Sequence, residues 1–255
     1  MRLYCPDLPD PGFPPIELQT EELKYAKNVL RAKLMDEVLL FDGRGREAKG
    51  VITRLDREHF TVEIKEVYKS SGKESALGIR LLQGILKGQK MDLVIQKTAE
   101  LGVARIQPLV TKYTEVKITR KLERWQKIAI EAARQCGRNV APVINEPVEF
   151  MDFFKSGPVA EENGLIKEPG IIFWERGGEG LKEIAARLQD ADSRFKGTGC
   201  ISLAVGPEGG FSEEEVSVAV NNGFYRAGLG PRILRAETAA ITAVGLAQFL
   251  FGDMG

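Results

Sequence analysis

The chain has 255 residues, 43% of them hydrophobic and 28% charged, with 36 Lys and Arg against 36 Asp and Glu. That is an ordinary composition for a globular protein with one large or two smaller cores, and the balanced charge leaves only a local basic face to bind phosphate. Cys5, Cys136 and Cys200 lack metal or disulfide spacing, His59 is a lone histidine, and no apolar run spans a membrane, so a metal-free, membrane-free protein in a reducing, cytoplasmic setting without a leader is expected.

The opening stretch carries Pro6, Pro9, Pro11, Pro14 and Pro15 and is expected to be extended. Glu21 to Arg31 places Leu23, Ala26 and Leu30 on one side of a helix. Val38 to Phe41 reads as a strand stopped by the hairpin signal Asp42-Gly43, with further short strands at Lys49 to Leu55 and Phe60 to Tyr68. His59, at a turn or strand end, reads as a surface residue. The pattern is that of a small β-barrel. The polar stretch Lys69 to Ser75 marks a boundary between domains 1–72 and 76–255.

From Ala76 onward strands alternate with helices. Ile79 to Ile85 is a strand, and Met91, Val94, Ile95, Thr98 and Leu101 recur at helical spacing up to a stop at Gly102. Arg105 to Val110 is a strand. Leu122, Trp125, Ile128, Ala129, Ala132 and Cys136 line one face of a long helix ended by Gly137. Phe150 to Gly170 reads as a helix end and a surface loop. Ile171 to Trp174 and Ile201 to Val205 are strands, and Leu181 to Leu188 is helical. Such alternation predicts an α/β domain with a mostly parallel sheet.

Two glycine-bearing segments follow strand-like runs and lead into helices. In Val205-Gly206-Pro207-Glu208-Gly209-Gly210-Phe211 the glycines let a ligand approach the main chain. The segment lacks the Gly-Lys-Ser/Thr ending of a P-loop and is not GxGxxG, which disfavours a nucleoside triphosphate or a dinucleotide. Ser212 and Glu215 form a capping box, with Phe211 and Val216 as its hydrophobic staple. A bare strand-to-helix turn is the plainer alternative. In the second segment, Leu229 to Thr238, Arg232 and Arg235 precede an apolar helix from Ala236 to Phe251. Two arginines at the positive end of a helix point to an anionic partner.

The remaining basic groups are less specific. Arg134 and Arg138 surround the C-terminus of the long helix, where the dipole favours them anyway. Lys87, Lys90 and Lys97 form either a solvated face or a phosphate contact. Arg2, Lys24, Lys27, Arg31 and Lys33 lie near Tyr4 and Tyr25, a sparse version of the basic and aromatic mixture that suits nucleic acid.

The segments Gly206 to Ser212 and Leu229 to Ala239 together resemble the signature of the RsmE-type ribosomal RNA methyltransferases of the SPOUT superfamily. Lys87 to Val103, Glu131 to Arg138, Val29-Leu30-Arg31 and Phe41-Asp42-Gly43 match further family segments in order, across nearly the whole chain. Tyr25-Ala26 departs from the family, which usually carries histidine there. Ser156 to Glu168 reads as a local insertion.

The resemblance implies a SPOUT-type C-terminal domain with a trefoil knot, an N-terminal PUA-like β-barrel that holds RNA, and a homodimer through the knot region. It implies that S-adenosylmethionine is bound and that N3 of uridine 1498 in the 16S ribosomal RNA of the small subunit is methylated. On that basis the cofactor pocket comprises Trp174, Leu203, Val205, Gly206, Pro207, Glu208, Gly209, Gly210, Leu229, Gly230, Ile233 and Leu234. Arg232, Arg235 and Glu237 are the candidate catalytic residues. Arg2, Lys24, Arg31, Lys90, Arg134 and Arg138 are the candidate RNA contacts. A related enzyme acting on a ribose 2′-oxygen or another base, and an inactive RNA-binding assembly factor, are the alternatives.

Overall fold

The computed structural model describes residues 1–10, 12–18, 20–69, 74–115, 121–155, 169–191 and 199–255. Most of the polar boundary segment and the whole of Ser156 to Glu168 lie outside the described residues. The chain divides into two units, Met1–Glu74 with Ile130–Ala141, and Ser75–Ala129 with Pro142–Gly255. Among the described residues no helix is long and apolar enough to cross a membrane.

The first unit contains β1 (Arg2–Tyr4), β2 (Ile16–Glu17), α1 (Thr20–Asn28), β3 (Glu37–Phe41), β4 (Arg46–Leu55) and β5 (Phe60–Lys69). They form a five-stranded sheet in the order β1-β3-β4-β5-β2, antiparallel except for the parallel pair β1 and β3. Asp42 makes the β3–β4 turn: its carboxylate accepts from the backbone N–H of Arg44 at 2.7 Å and of Arg46 at 3.0 Å. That anchoring starts β4 at Arg46, three residues before the expected Lys49. Helix α1 stops at Asn28 rather than Arg31, because the chain turns back there. Leu30 N–H bonds Tyr25 O, Ala32 N–H bonds Ala26 O, and Arg31 takes φ +52°. Alternate residues Leu40, Ala48, Ile52, Phe60 and Val62 bury one face of the sheet against Leu23 and Ala26 of α1.

The end of helix α3 (Leu122–Cys136) belongs to this unit, and arginines bind it there. Arg2 stacks 4.3 Å above the Phe41 ring and donates to Ala133 O, to Arg138 O at 2.7 Å and to Asn139. A cation among the last carbonyls of a helix is where the dipole favours it. Arg134 lies 3.5 Å above the Tyr25 ring and pairs with Glu22 at 3.2 Å. Arg138 donates to Glu74 at 2.9 Å, and the other Glu74 oxygen accepts from the N–H groups of Asn139 and Val140.

The second unit contains β6 (Gly78–Gly84), α2 (Lys90–Glu100), β7 (Arg105–Val110), most of α3, β8 (Val143–Ile144), β9 (Val148–Glu149), α4 (Phe150–Lys155), β10 (Gly170–Phe173), α5 (Leu181–Ala191), β11 (Cys200–Val205), α6 (Glu213–Asn221), β12 (Phe224–Ala227) and α7 (Ala236–Phe251). Six strands run in the order β12-β10-β11-β6-β7-β8, with β9 also on β7, and every pairing is parallel. Side-chain alternation splits the core into two layers. Ile79, Leu81, Ile171, Ile201 and Leu203 pack with residues of α2, α5 and α7, while Leu82, Ile172 and Ala204 pack with Phe150, Phe154, Val216 and Ala219 of α4 and α6. Burial on both faces is what a parallel sheet requires. Gly102 at φ +87° and Gly137 at φ +84° sit just past α2 and α3, the positions expected for them. β8 and β9 are too short for periodicity to reveal, whereas α4 falls at the helix end expected from Phe150.

Replacing Arg138 with Ala removes the guanidinium that pairs with one Glu74 oxygen and empties the space of a buried side chain. The substitution is expected to cost about 2 kcal/mol, read as a lower urea midpoint.

Candidate active site

Because β6, β7, β10, β11 and β12 are parallel, their outgoing loops emerge at one end of the sheet, the end where open α/β folds bind ligands. Strand β12 is the edge strand, yet α7, the element after it, packs on β6, β11 and α2. The connecting segment Gly228 to Arg235 must therefore recross the strand ends. Between it and the Gly206–Gly210 loop lies a cavity of about 450 Å³, within the usual range for small-molecule sites.

The walls follow from the strand ends. Phe173, Trp174 and Glu175 come from β10 and its loop, Val205 to Gly210 from β11, and Gly228 to Ala236 from the return segment. Glu237 and Ala239 follow from the first turn of α7, and Lys90 from the start of α2. The Gly206 loop doubles back on itself: a β-carbon on Gly206 would sit 2.8 Å from the carbonyl carbon of Gly210, and Gly210 has φ +71°. Only glycine accepts both conditions.

Buried polar groups fix these loops. The Trp174 backbone N–H bonds Ala227 O at 3.0 Å and its indole N–H bonds Phe211 O at 3.2 Å, so one residue ties three loops together. The amide of Gln83, wholly buried at the end of β6, donates towards the carbonyls of Gly84, Val205 and Gly206. Ser212 caps α6 through the expected box with Glu215. Glu215, only 2% exposed, does more: one oxygen accepts from Ser212 N–H at 2.8 Å and the other from Lys112 N–H at 2.7 Å. It thereby fastens the loop after β7 to the glycine loop.

The mouth is charged. Glu208 accepts from Lys90 Nζ at 2.9 Å and from Lys87 N–H at 3.2 Å. Burial works against the Glu208 charge, but the Lys90 bond, its own backbone N–H and that of Lys87 outweigh it and hold the carboxyl below its usual range. The Glu208 bond raises Lys90, and Glu237 and Arg235 act on the same ammonium. Arg232 and Arg235 are exposed at the rim. The Glu237 Oε2 is shielded from solvent and has no hydrogen-bond partner among the described residues.

The structure brings together Arg232, Arg235, Glu237 and, of the expected pocket residues, all but Leu203. Leu203 is 1% exposed and lies in the core cluster. It points to the same face as Val205 but two residues down the strand, below the reach of a cavity at the strand ends. The expected RNA contacts divide. Lys24 and Arg31 are exposed and Lys90 is half-exposed. Arg134 and Arg138 are buried in ion pairs and Arg2 is bound at the end of α3, so these three are corrected to structural cations. Sequence reading missed Gln83, Glu175 and the second role of Glu215. A glutamine inside the apolar run Ile79 to Ile85 is the one signal that was available. Among the described residues no three His, Cys, Asp or Glu side chains gather as a metal site.

Residues 73–248 match an RNA methyltransferase domain and residues 18–65 an RNA methyltransferase PUA domain. A ribosomal RNA small subunit methyltransferase E from Buchnera aphidicola (subsp. Schizaphis graminum) is 34% identical over 94% of this chain and 92% of its own length. A putative methyltransferase from Legionella pneumophila, solved in complex with the bound cofactor SAM, is similar at 35% identity and TM-score 0.85, covering 99% of this chain and 98% of that one. The ribosomal RNA small subunit methyltransferase E of Neisseria gonorrhoeae, solved bound to S-adenosyl methionine, is similar at 32% identity and TM-score 0.84, over 100% and 99%.

Glu215→Ala leaves the buried Ser212 N–H and the Lys112 N–H without their carboxylate acceptor. It is expected to cost about 2–4 kcal/mol, and hydrogen exchange at Lys112 and Ser212 is expected to accelerate beyond that of the α6 interior.

Proposed function

Since the chain belongs to the family of ribosomal RNA small subunit methyltransferases E, we propose that it methylates N3 of uridine 1498 in 16S ribosomal RNA, using S-adenosylmethionine. The observation that carries the reading is the cavity at the ends of β10, β11 and β12, closed by the glycine loop on one side and by the arginine-bearing return on the other.

The residues present fit the cofactor. Val205, Leu229 and Leu234 offer apolar surface to an adenine ring, with Trp174 beside them, and Gly206, Gly228 and Gly230 leave main-chain groups open to it. Glu175 and Glu208 supply negative charge for a cationic ligand. When bound, S-adenosylmethionine supplies an electrophilic methyl group on a positively charged sulfur.

Uridine N3 carries a proton and is a poor nucleophile until that proton leaves. Glu237, whose side chain lines the cavity, accepts it through its carboxylate. Removing the proton spreads negative charge onto O2 and O4. Arg235 and Arg232 stand at the rim to stabilise that charge, as preorganised donors aimed at developing charge do. Lys90, steadied by Glu208, adds a cation on the same side. The pinned loops hold the reacting atoms in line, where orientation lowers much of the barrier.

In this reading the first unit contacts RNA through exposed Lys24 and Arg31. A threaded passage of the return segment, giving a trefoil knot, is consistent with its recrossing of the strand ends. Ile233, Leu246 and the 60%-exposed Phe249 present apolar surface along that region, which supports a homodimer there. The ribosomal substrate sets the work in the cytoplasm.

Calorimetry with S-adenosylmethionine is expected to show saturable binding. Labelled methyl transfer to assembled small subunits is expected to map to the uridine base; a label on a ribose oxygen would overturn the N3 assignment. Glu237→Gln is expected to lower kcat by about 10²–10⁴-fold while leaving cofactor affinity within error; an unchanged kcat removes Glu237 as the base. Sedimentation is expected to give a dimer for the natural chain and a smaller species for Phe249→Asp.

A further inference from the structure

We propose that Tyr113 is a stacking platform for a nucleobase flanking the methylated nucleotide, a reading that rests on the methyltransferase function proposed above. Tyr113 stands at the tip of the turn that follows β7, and its side chain is 44% exposed.

Its backbone is held from three directions. Thr111 N–H bonds the Thr114 hydroxyl at 2.9 Å, the two threonine hydroxyls lie 3.0 Å apart, and Thr114 N–H returns to Thr111 O at 3.1 Å. Both threonines are buried. Lys112 N–H is bound by the buried Glu215 carboxylate at 2.7 Å. On the third side lies Gly209: a β-carbon there would come within 2.7 Å of Tyr113 Cβ, so the tyrosine is seated directly on the glycine loop. Gly209 also lines the cavity. The base of the tyrosine side chain is therefore held against the loop that walls the cavity in which the methyl donor is proposed to bind.

The chemistry beside the ring selects the occupant. Lys112 Nζ lies 5.9 Å from the ring centroid and pairs with no carboxylate among the described residues. An exposed π-face with an adjacent cation suits a base and its phosphate, the pairing by which single-stranded nucleic acid is held. A protein partner would gain little from a lone ring with a cation at its side, and a purely structural tyrosine would be buried. Set on a turn whose backbone is already ordered, the ring meets a base with only its own two torsions left to settle.

Three variants, Tyr113→Ala, Tyr113→Phe and Tyr113→Trp, test the proposal. Calorimetry with S-adenosylmethionine is run first, and unchanged cofactor affinity in all three shows that the glycine loop is intact. Tyr113→Ala is expected to raise KM for unmethylated small subunits by about 5–100-fold with little change in kcat, while Phe and Trp stay within about 3-fold of the natural chain. A short single-stranded RNA spanning the target uridine, with 2-aminopurine at the neighbouring nucleotide, is expected to be quenched by the natural chain and by the Phe and Trp variants but not by Ala. Unchanged KM in Tyr113→Ala, quenching that persists without the ring, or a Phe variant as weak as Ala each overturns the platform. A natural chain that quenches the probe yet transfers no methyl group contradicts the enzymatic reading instead, because stacking is scored apart from catalysis.

Discussion

The constraint on which the site depends is a mismatch between two positions. The last strand, β12, lies at the edge of a parallel sheet, whereas the last helix, α7, packs over β6 and β11 nearer its middle. The chain between them has eight residues, 228 to 235, in which to cross the ends of β10 and β11. It cannot detour. It runs over the strand ends, faces the loop that leaves β11, and encloses the space between. Small and turn-forming residues, Gly228, Gly230 and Pro231, occupy that crossing, and side chains capable of chemistry appear only as it reaches the helix.

Short loops alone would not make a rigid pocket. The strand-end loops are joined by polar groups that are themselves buried, and a buried polar group is costly unless its bonds are made. Trp174 joins the loops after β10, β11 and β12, Gln83 bridges β6 to β11, and Glu215 bridges β7 to β11. Each link penalises displacement of a loop by at least one orphaned donor or acceptor. A site that positions two substrates benefits from that stiffness, because geometry held in advance need not be established at each turnover.

Local grammar made much of this legible. Ser212 and Glu215 announced the start of α6, Gly102 and Gly137 the ends of α2 and α3, and the alternation of strands and helices the α/β layers. What sequence could not show were pairings over long separations. Arg2 meets the Arg138 carbonyl 136 residues away, and Arg134 meets Glu22 112 residues away. Nothing adjacent to those arginines distinguishes a structural guanidinium from one waiting for phosphate. Leu203 lies outside the cavity for a different reason: it shares a face with Val205 but sits two residues deeper in the strand, and only the strand ends reach the cavity. Glu215 was read as a cap because its short-range bond to Ser212 is visible in sequence, while its bond to Lys112 is not.

The charges around the cavity bear on the chemistry. The N-terminal end of α7 carries the positive pole of the helix, and Arg232 and Arg235 stand beside it where a stability argument alone would place acids. A negative group is favoured at that end. Glu175 and Glu208 also line the cavity, and Glu208 is paired there with Lys90. Glu237 stands in the first turn of the same helix, and that placement fits its proposed role: with the uridine proton moved to a carboxylate, Arg232 and Arg235 at the rim face the charge left on the uracil.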